Sequence, residues 1–136
     1  MAVEREVKFK LNSLPKEAFH GERISQVYIL NNRLFELRAR KTSRNTLTFK
    51  SKSSSLKRIE IELTPPKFFF DFFWGKGKRK IDKTRYRIIA SGEVWEIDLF
   101  DSGLIIAECE FTKKRPTCPW PGVDVTDDPK FYNSNL

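Results

Sequence analysis

The sequence predicts a β-dominated α+β fold in which eight antiparallel strands and few flanking helices form one domain over residues 1–136. Three observations lead to this prediction. Charged and apolar residues alternate with a period of two along most of the chain, which is typical of strands. Turn sequences separate neighbouring alternating segments, as in β-hairpins. A single aromatic segment lies between prolines and a glycine, which indicates one short helix.

The strands follow from the alternation. In the first, Glu4, Glu6 and Lys8 fall on one face, while Val3, Val7 and Phe9 fall on the other. The same pattern places the eight strands near residues 3–11, 24–30, 34–41, 46–52, 57–63, 80–89, 93–100 and 104–111. Consecutive strands should be antiparallel because hairpin signals lie between several of them. These signals are Asn31-Asn32, Ser43-Arg44-Asn45, Ser91-Gly92 and Asp101-Ser102-Gly103.

The main helix is predicted between strands five and six. Thr64 is its expected N-cap, Pro65 its first residue and Gly75 its stop, and the aromatic residues from Phe68 to Trp74 are expected to pack in the core. Residues 15–20 could form one helical turn. The segment after Arg115 is predicted to be an ordered loop with a helical turn near residues 128–132.

Composition narrows the class of partner. A formal net charge of +8 and a pI near 9.6 favour a polyanion, which could be nucleic acid, an acidic membrane or a polyphosphate. Cys109 and Cys118 form no disulfide framework, and Cys109 is expected to be a packed thiol. Without a long apolar stretch or a signal sequence, we expect a soluble cytoplasmic protein.

The charged faces have two interpretations. One is an ordinary solvated sheet face. The other is a site, because carboxylates and basic residues are segregated on different strands as pairs or triples. If the strands close into a barrel, these faces meet across a hydrated lumen, since buried unpaired charge is costly. Carboxylates suit Mg²⁺ or Mn²⁺, and arginine and lysine suit phosphate oxygens.

Other motifs are weak. His20 is the only histidine and falls in a predicted loop, so a histidine-based triad or metal site is disfavoured. The sequence Gly75-Lys76-Gly77-Lys78 lacks the spacing of a phosphate-binding loop and is interpreted as a helix stop followed by a basic turn.

Taken in order, the motifs resemble the CYTH, or triphosphate tunnel metalloenzyme, superfamily, and in particular its small bacterial tripolyphosphatase branch. The resemblance begins at Glu4-x-Glu6-x-Lys8 and covers essentially the whole chain. It continues through Gln26-x-Tyr28, Arg38-x-Arg40, Leu47-Thr48-Phe49-Lys50, Arg58-x-Glu60-x-Glu62, Lys83-Thr84-Arg85-Tyr86-Arg87, Trp95-Glu96-Ile97-Asp98, Ala107-Glu108-Cys109-Glu110 and the segment from Asp124 to Leu136.

The resemblance implies an eight-stranded closed barrel, the triphosphate tunnel, that binds Mg²⁺ or Mn²⁺. The implied metal ligands are Glu4, Glu6, Glu60, Glu62, Asp98, Glu108 and Glu110. The implied phosphate-binding residues are Lys8, Arg38, Arg40, Lys50, Arg58, Lys83, Arg85 and Arg87. Catalytic roles are implied for Lys8, Tyr28, Lys50 and Lys83, although Tyr28 could equally be a packed tyrosine.

These inferences predict a metal-dependent triphosphatase that hydrolyses tripolyphosphate to pyrophosphate and phosphate. The alternatives are a class IV adenylyl cyclase, a nucleoside, thiamine or RNA triphosphatase, and a non-catalytic polyphosphate or RNA binder. A homodimer is expected, because the apolar residues on the exterior of a barrel need cover. These are Val3, Val7, Phe9, Leu47, Phe49, Ile59, Ile61, Trp95, Ile97 and Leu99. No nucleic acid or membrane partner is expected. Because the chain stops at Leu136, where similar proteins continue into a helix, the tunnel mouth is expected to be more open.

Overall fold

The structure, a computed structural model, describes residues 5–51, 59–131 and 136. It divides into two compact units, which we call unit 1 (residues 1–23 and 83–136) and unit 2 (residues 24–82). The elements in the described residues are the strands β1 Arg5–Leu11, β2 Glu22–Asn31, β3 Phe35–Lys41, β4 Asn45–Ser51, β5 Glu60–Leu63, β6 Arg79–Ala90, β7 Glu93–Phe100, β8 Ile105–Phe111 and β9 Gly122–Asp124, the helix α1 Lys67–Gly75, and a short 3-10 helix at Pro129–Phe131.

Unit 1 is an antiparallel sheet in the order β6-β7-β8-β1-β9. One parity of its strands forms the apolar core, where Val7, Trp95 and Ile97 are at most 1% exposed. Ala107 and Cys109 complete the centre of that core. The burial predicted for Cys109 is therefore confirmed. The other parity carries the charged residues, so the alternation in the sequence corresponds to two chemically different faces.

The hairpins of unit 1 have the backbone that their sequences predict. Ser91 and Gly92 join β6 to β7 with φ angles of 53° and 78°. Positive φ at both central residues is the requirement of a type I′ turn, whose twist matches that of the flanking strands. Gly103, with φ of 95°, lies in the turn from β7 to β8 and donates its N–H to the Phe100 carbonyl at 2.8 Å.

Unit 2 has the order β5-β4-β3-β2, again antiparallel. Its core consists of Val27, Ala39, Leu47 and Phe70, so helix α1 packs on this sheet through Phe70. The register of β2 on β3 shifts between Tyr28 and Leu30, which marks a bulge.

Helix α1 differs from its prediction at the start and in its packing. It begins at Lys67, after Pro66, rather than at Pro65 with Thr64 as the cap, and no side chain caps its first turn. Two successive prolines explain the shift, because Pro66 restricts Pro65 to an extended conformation. The stop at Gly75 is confirmed. The prediction that the aromatic segment packs in the core is wrong for Phe68, Phe69 and Phe72, which are 78%, 46% and 60% exposed.

Three further segments were predicted less precisely. Residues 15–20 form no helix but a turn, in which the Ala18 N–H donates to the Pro15 carbonyl. The predicted helical turn near residues 128–132 is present as the 3-10 helix at Pro129–Phe131. Strand β9 lies in the segment predicted as a loop. Its three residues are too few to show the period-two alternation of a strand. Strand β9 is recognised only by its pairing with the distant strand β1.

Closure into a barrel stays a prediction. Strand β5 has one described pairing, with β4, and β9 has one, with β1. Hydrogen bonds between the described residues therefore show antiparallel sheet structure without a closing seam.

The apolar residues that were expected to need a dimer partner are mostly covered within the chain. Leu47 is 6% exposed, and the core residues of unit 1 are more deeply buried. Only Ile59 and Ile61 of the described members of that set are largely exposed. In the described part of the chain, no helix combines the length and apolarity needed to span a membrane.

Candidate active site

The charged face of unit 1 is organised by strand register. Glu6 of β1 lies opposite Glu110 of β8, and Lys8 lies opposite Glu108. Glu108 in turn lies opposite Glu96 of β7. Directly opposite residues on one face of an antiparallel sheet have Cβ atoms about 4.5–5.5 Å apart. The register therefore gathers several carboxylates that are far apart in the sequence.

These carboxylates line a cavity of about 370 Å³. We call it the glutamate cavity. Its lining residues are Glu6, Gly92, Glu93, Val94, Glu96, Glu108 and Glu110. Oxygen donors of this kind are the ligands that Mg²⁺ and Mn²⁺ prefer, so the chemistry of the donor set fits a hard divalent cation. In the described residues, no three acidic, histidine or cysteine side chains already converge on one point as metal ligands.

Lys8 borders this cluster as a buried cation. Its side chain is 7% exposed, and Nζ lies 3.4 Å from Glu108 Oε1. Nζ also donates a hydrogen bond to the Phe131 carbonyl at 3.1 Å, and Thr126 Oγ1 accepts the Lys8 backbone N–H at 3.0 Å. Residues near the C-terminus therefore fix the position of a lysine at the start of the chain.

Asp98 is the centre of a buried ionic cluster. Lys83 Nζ lies 2.7 Å from Asp98 Oδ2, and the Lys83 side chain is fully buried. Arg85 donates two hydrogen bonds to the same carboxylate, from Nε to Oδ1 at 2.8 Å and from Nη2 to Oδ2 at 2.9 Å. This bidentate geometry is the strongest form of arginine–carboxylate pairing.

The pKa values in this cluster keep it charged. Burial acts to raise the pKa of the Asp98 carboxyl, but the Arg85 hydrogen bond and the positive charges of Lys83 and Arg85 outweigh it and lower that pKa below 3.8. Burial acts to lower the pKa of the Arg85 guanidinium, but the hydrogen bond and charge of Asp98, with Glu96 and Glu108 nearby, raise it. Both groups remain ionised at neutral pH.

Glu96 connects this ionic cluster to the glutamate cavity. Its Oε2 lies 3.4 Å from Arg85 Nη1 and 3.2 Å from Arg87 Nη2. The Arg87 side chain is 63% exposed, so it can reorient toward an anion at low cost. Glu96 lies in the Trp95-Glu96-Ile97-Asp98 motif of the resemblance but was not among the predicted site residues. Its Glu96-x-Asp98 spacing was the available signal, because it places both carboxylates on one strand face.

Unit 2 carries a separate polar cluster around Tyr28. Arg40 donates from Nε and Nη2 to Gln26 Oε1 at 3.0 and 2.8 Å, and Gln26 Nε2 donates to the Tyr28 hydroxyl at 3.0 Å. Gln26 is fully buried and was not among the predicted site residues. Burial raises the pKa of Tyr28 to about 12, with opposing contributions from Arg38 and Arg40, so the phenol is neutral at physiological pH.

The remaining predicted residues of unit 2 lie on β3, β4 and β5. Arg38 Nη1 contacts Glu36 Oε2 at 3.5 Å, while Arg38 Nε is buried and has no hydrogen-bond partner among the described residues. Lys50 lies opposite Glu60 in the register. Glu60 and Glu62 are exposed. Two predicted site residues, Glu4 and Arg58, lie outside the described residues.

Both units thus have sheet faces on which carboxylates, arginines and lysines are held by hydrogen bonds and ion pairs. Such faces carry the donor types that a polyanion and a divalent cation bridging it to carboxylates would require.

Comparison with known proteins defines the class further. The chain is 32% identical to an inorganic triphosphatase of Acetivibrio thermocellus, with 100% of this chain and 94% of that protein aligned. It therefore belongs to the same family as this triphosphatase. The crystal structure of the inorganic triphosphatase NE1496 matches with a TM-score of 0.73 and 28% identity, over 99% of this chain and 94% of that one.

A conserved hypothetical protein of Pyrococcus furiosus shares the fold. Its TM-score is 0.57 at 23% identity, over 84% of this chain and 82% of that one. No protein-family model matches the chain.

Proposed function

We propose that this protein is a divalent-metal-dependent inorganic triphosphatase, which hydrolyses tripolyphosphate to pyrophosphate and phosphate. The observation that carries the proposal is the cross-strand arrangement of unit 1, where Glu6, Glu108 and Glu110 adjoin Lys8. Membership in a family that contains an inorganic triphosphatase supports the substrate. Placement in the CYTH superfamily and closure into a tunnel belong to the same proposal and rest on the sequence motifs.

The glutamate cavity is the proposed metal site. Glu6, Glu108 and Glu110, together with Glu96, supply oxygen donors, and Glu4 is a further predicted ligand outside the described residues. Mg²⁺ or Mn²⁺ held by these residues would supply polarisation of the phosphoryl oxygens and a bound water of lowered pKa. Without a cation, these carboxylates would repel a polyphosphate.

Basic residues of unit 1 are the proposed phosphate ligands. Arg87 is exposed enough to turn from Glu96 to a phosphate oxygen. Lys8 and Arg85 are held more rigidly, by Glu108 and Asp98 respectively. Preorganised positive charge stabilises the charge that develops on a leaving pyrophosphate, without any cost of reorientation during the reaction.

For Asp98, the geometry supports a positioning role. Both of its oxygens are engaged by Lys83 and Arg85. A carboxylate in this state has little capacity left for a metal ion, so we propose that Asp98 orients the two basic side chains. We therefore favour the positioning role of Asp98 over the metal-ligand role that the resemblance implied.

In unit 2, the same proposal assigns phosphate binding to Arg38, Arg40 and Lys50. The buried Nε of Arg38 has no hydrogen-bond partner among the described residues and is suited to donate a hydrogen bond to a phosphate oxygen. Arg40 is fixed by its two hydrogen bonds to Gln26, which also positions the Tyr28 hydroxyl. Glu60 and Glu62 remain predicted metal ligands.

A phosphate-release assay tests the proposal. Tripolyphosphate should be hydrolysed in Mg²⁺ or Mn²⁺ and not in excess chelator. The Glu6→Gln substitution should lower turnover by several orders of magnitude, because it removes one anionic donor from the cavity. Glu22→Gln, which changes an exposed carboxylate outside the cavity, is the matched control and should retain full activity.

The outcomes separate the alternatives. Undiminished hydrolysis by Glu6→Gln, or activity in chelator, would contradict the metal site. Formation of cyclic AMP from ATP would support a cyclase, and binding of tripolyphosphate without any turnover would support a non-catalytic polyphosphate binder.

A further inference from the structure

Helix α1 presents an aromatic surface to solvent. Phe68, Phe69 and Phe72 are 78%, 46% and 60% exposed, and we call them the aromatic face. Phe70, on the opposite side, is fully buried against the sheet of unit 2. An α-helix of nine residues with three such side chains in solvent is unusual, because contiguous exposed apolar patches generally mark interaction sites.

Positive charge surrounds this face. Residues 67–80 contain five basic side chains and one acidic one, Asp71. Lys67, at the start of the helix, is 85% exposed, and Lys76 Nζ lies 5.3 Å from the centre of the Phe72 ring. The basic run that follows the helix, Lys76, Lys78, Arg79 and Lys80, is exposed.

We propose that α1 and the basic run bind the surface of an anionic lipid bilayer. Aromatic side chains insert at the boundary between headgroups and acyl chains, while nearby lysine and arginine side chains are attracted to anionic headgroups. The positive charge of the basic run favours an anionic bilayer over other partners. The aromatic face alone would suit any apolar partner. The proposal departs from the sequence-based expectation of no membrane partner, and it goes beyond the proposed hydrolysis because α1 contains no residue assigned to metal or phosphate.

A second copy of the chain fits this surface less well. A two-fold contact through α1 would bring two basic runs together, and like charges repel. A fully buried phenylalanine side chain removes roughly 150–250 Å² of surface from solvent. Three partly exposed ones therefore supply less than the ~800 Å² that each partner buries in a standard interface.

Co-sedimentation with vesicles tests the proposal. The protein should bind vesicles of phosphatidylcholine mixed with phosphatidylserine, and binding should fall at high salt and be absent with phosphatidylcholine alone. The double variant Phe68→Ser, Phe72→Ser should lower the partition coefficient about tenfold or more. The double variant Lys76→Gln, Lys78→Gln should lower it by roughly 25-fold, about fivefold for each lysine.

Phe19→Ser is the matched control, because Phe19 is 70% exposed but belongs to unit 1. It should bind vesicles as the unmodified protein does. Urea unfolding midpoints should agree among all variants. This agreement would show that each variant is folded, without relying on an activity measurement.

Three results would overturn the proposal. These are the absence of binding to anionic vesicles, equal binding to neutral and anionic vesicles, and binding that the Phe68→Ser, Phe72→Ser variant retains. Light scattering that shows a dimer for the unmodified protein and a monomer for this variant would assign the aromatic face to a second copy instead.

Discussion

At the scale of single residues, Asp98 is the buried carboxylate that holds two basic side chains in place. It is 2% exposed, and the fully buried Lys83 and the bidentate Arg85 both depend on its charge. Loss of one member of a buried ion cluster leaves the others uncompensated in a medium of low polarity. We therefore expect Asp98 to control both the stability of unit 1 and the orientation of two basic side chains.

Substituting Asp98→Asn should lower the free energy of unfolding by about 3–5 kcal/mol. Urea denaturation measures this change. Asp101→Asn is the matched control, since the Arg23–Asp101 pair is exposed and should contribute about 0–1 kcal/mol. The pKa of Asp98 is lowered in the fold, so its stabilisation is present above the unfolded pKa of 3.8 and disappears as the pH falls through the lower folded value. Equal losses in the two variants would contradict this account.

Tyr28 gives a second prediction at this scale. Its pKa is raised from 10.0 to about 12, so the phenol should not titrate between pH 8 and about 10 and should give no step in the activity profile there. An absorbance titration should contain a tyrosine component near pH 12 that Tyr28→Phe removes. Because the folded pKa is the higher one, the stability that Tyr28 contributes should decline above pH 10, the unfolded value. A component near 10 in place of 12 would contradict the burial of this hydroxyl.

At the scale of elements, strand β9 connects the end of the chain to the strand that carries Glu6 and Lys8. Val125 donates its N–H to the Lys8 carbonyl at 2.9 Å, directly after the pairing of β9 with β1. Gly122 allows this close approach, because a Cβ at that position would clash with the Lys10 carbonyl. The segment after Arg115 therefore supports the charged face of unit 1.

Gly122→Ala should accordingly destabilise the protein by roughly 1–3 kcal/mol, because the backbone of β1 or β9 must shift. Thermal or urea unfolding measures the effect. Gly75→Ala is a suitable control, since a Cβ there meets no atom within 4 Å, and the change should be neutral or stabilising by up to about 1 kcal/mol. If both substitutions were neutral, β9 would not be held as tightly as the structure indicates.

At the scale of the whole molecule, the net charge of +8 bears on how a polyanion reaches the protein. Association of oppositely charged partners is accelerated by long-range attraction, which salt screens. The homodimer and the cytoplasmic location expected from the sequence stay predictions, and most of the apolar residues that motivated the dimer are buried within the chain.

The kcat/KM for tripolyphosphate should therefore fall as ionic strength rises from about 0.01 M to 0.15 M, where the screening length shortens from about 30 Å to about 8 Å. The kcat should change less, because bound substrate is held by contacts at short range. A parallel series with a neutral osmolyte controls for viscosity and water activity. A kcat/KM that is independent of salt would show that the net charge has no part in substrate capture.

The sequence was sufficient to predict which residues share a strand face, because side chains alternate across a strand whatever its surroundings. It also located the hairpin at Ser91-Gly92 and the helix stop at Gly75, since both depend on local backbone preferences. Three features follow only from tertiary contacts: Glu6 lies opposite Glu110, Asp98 holds Lys83, and Phe68 is exposed. These features depend on strand register and burial, which contacts between residues distant in sequence establish, and no local pattern encodes them.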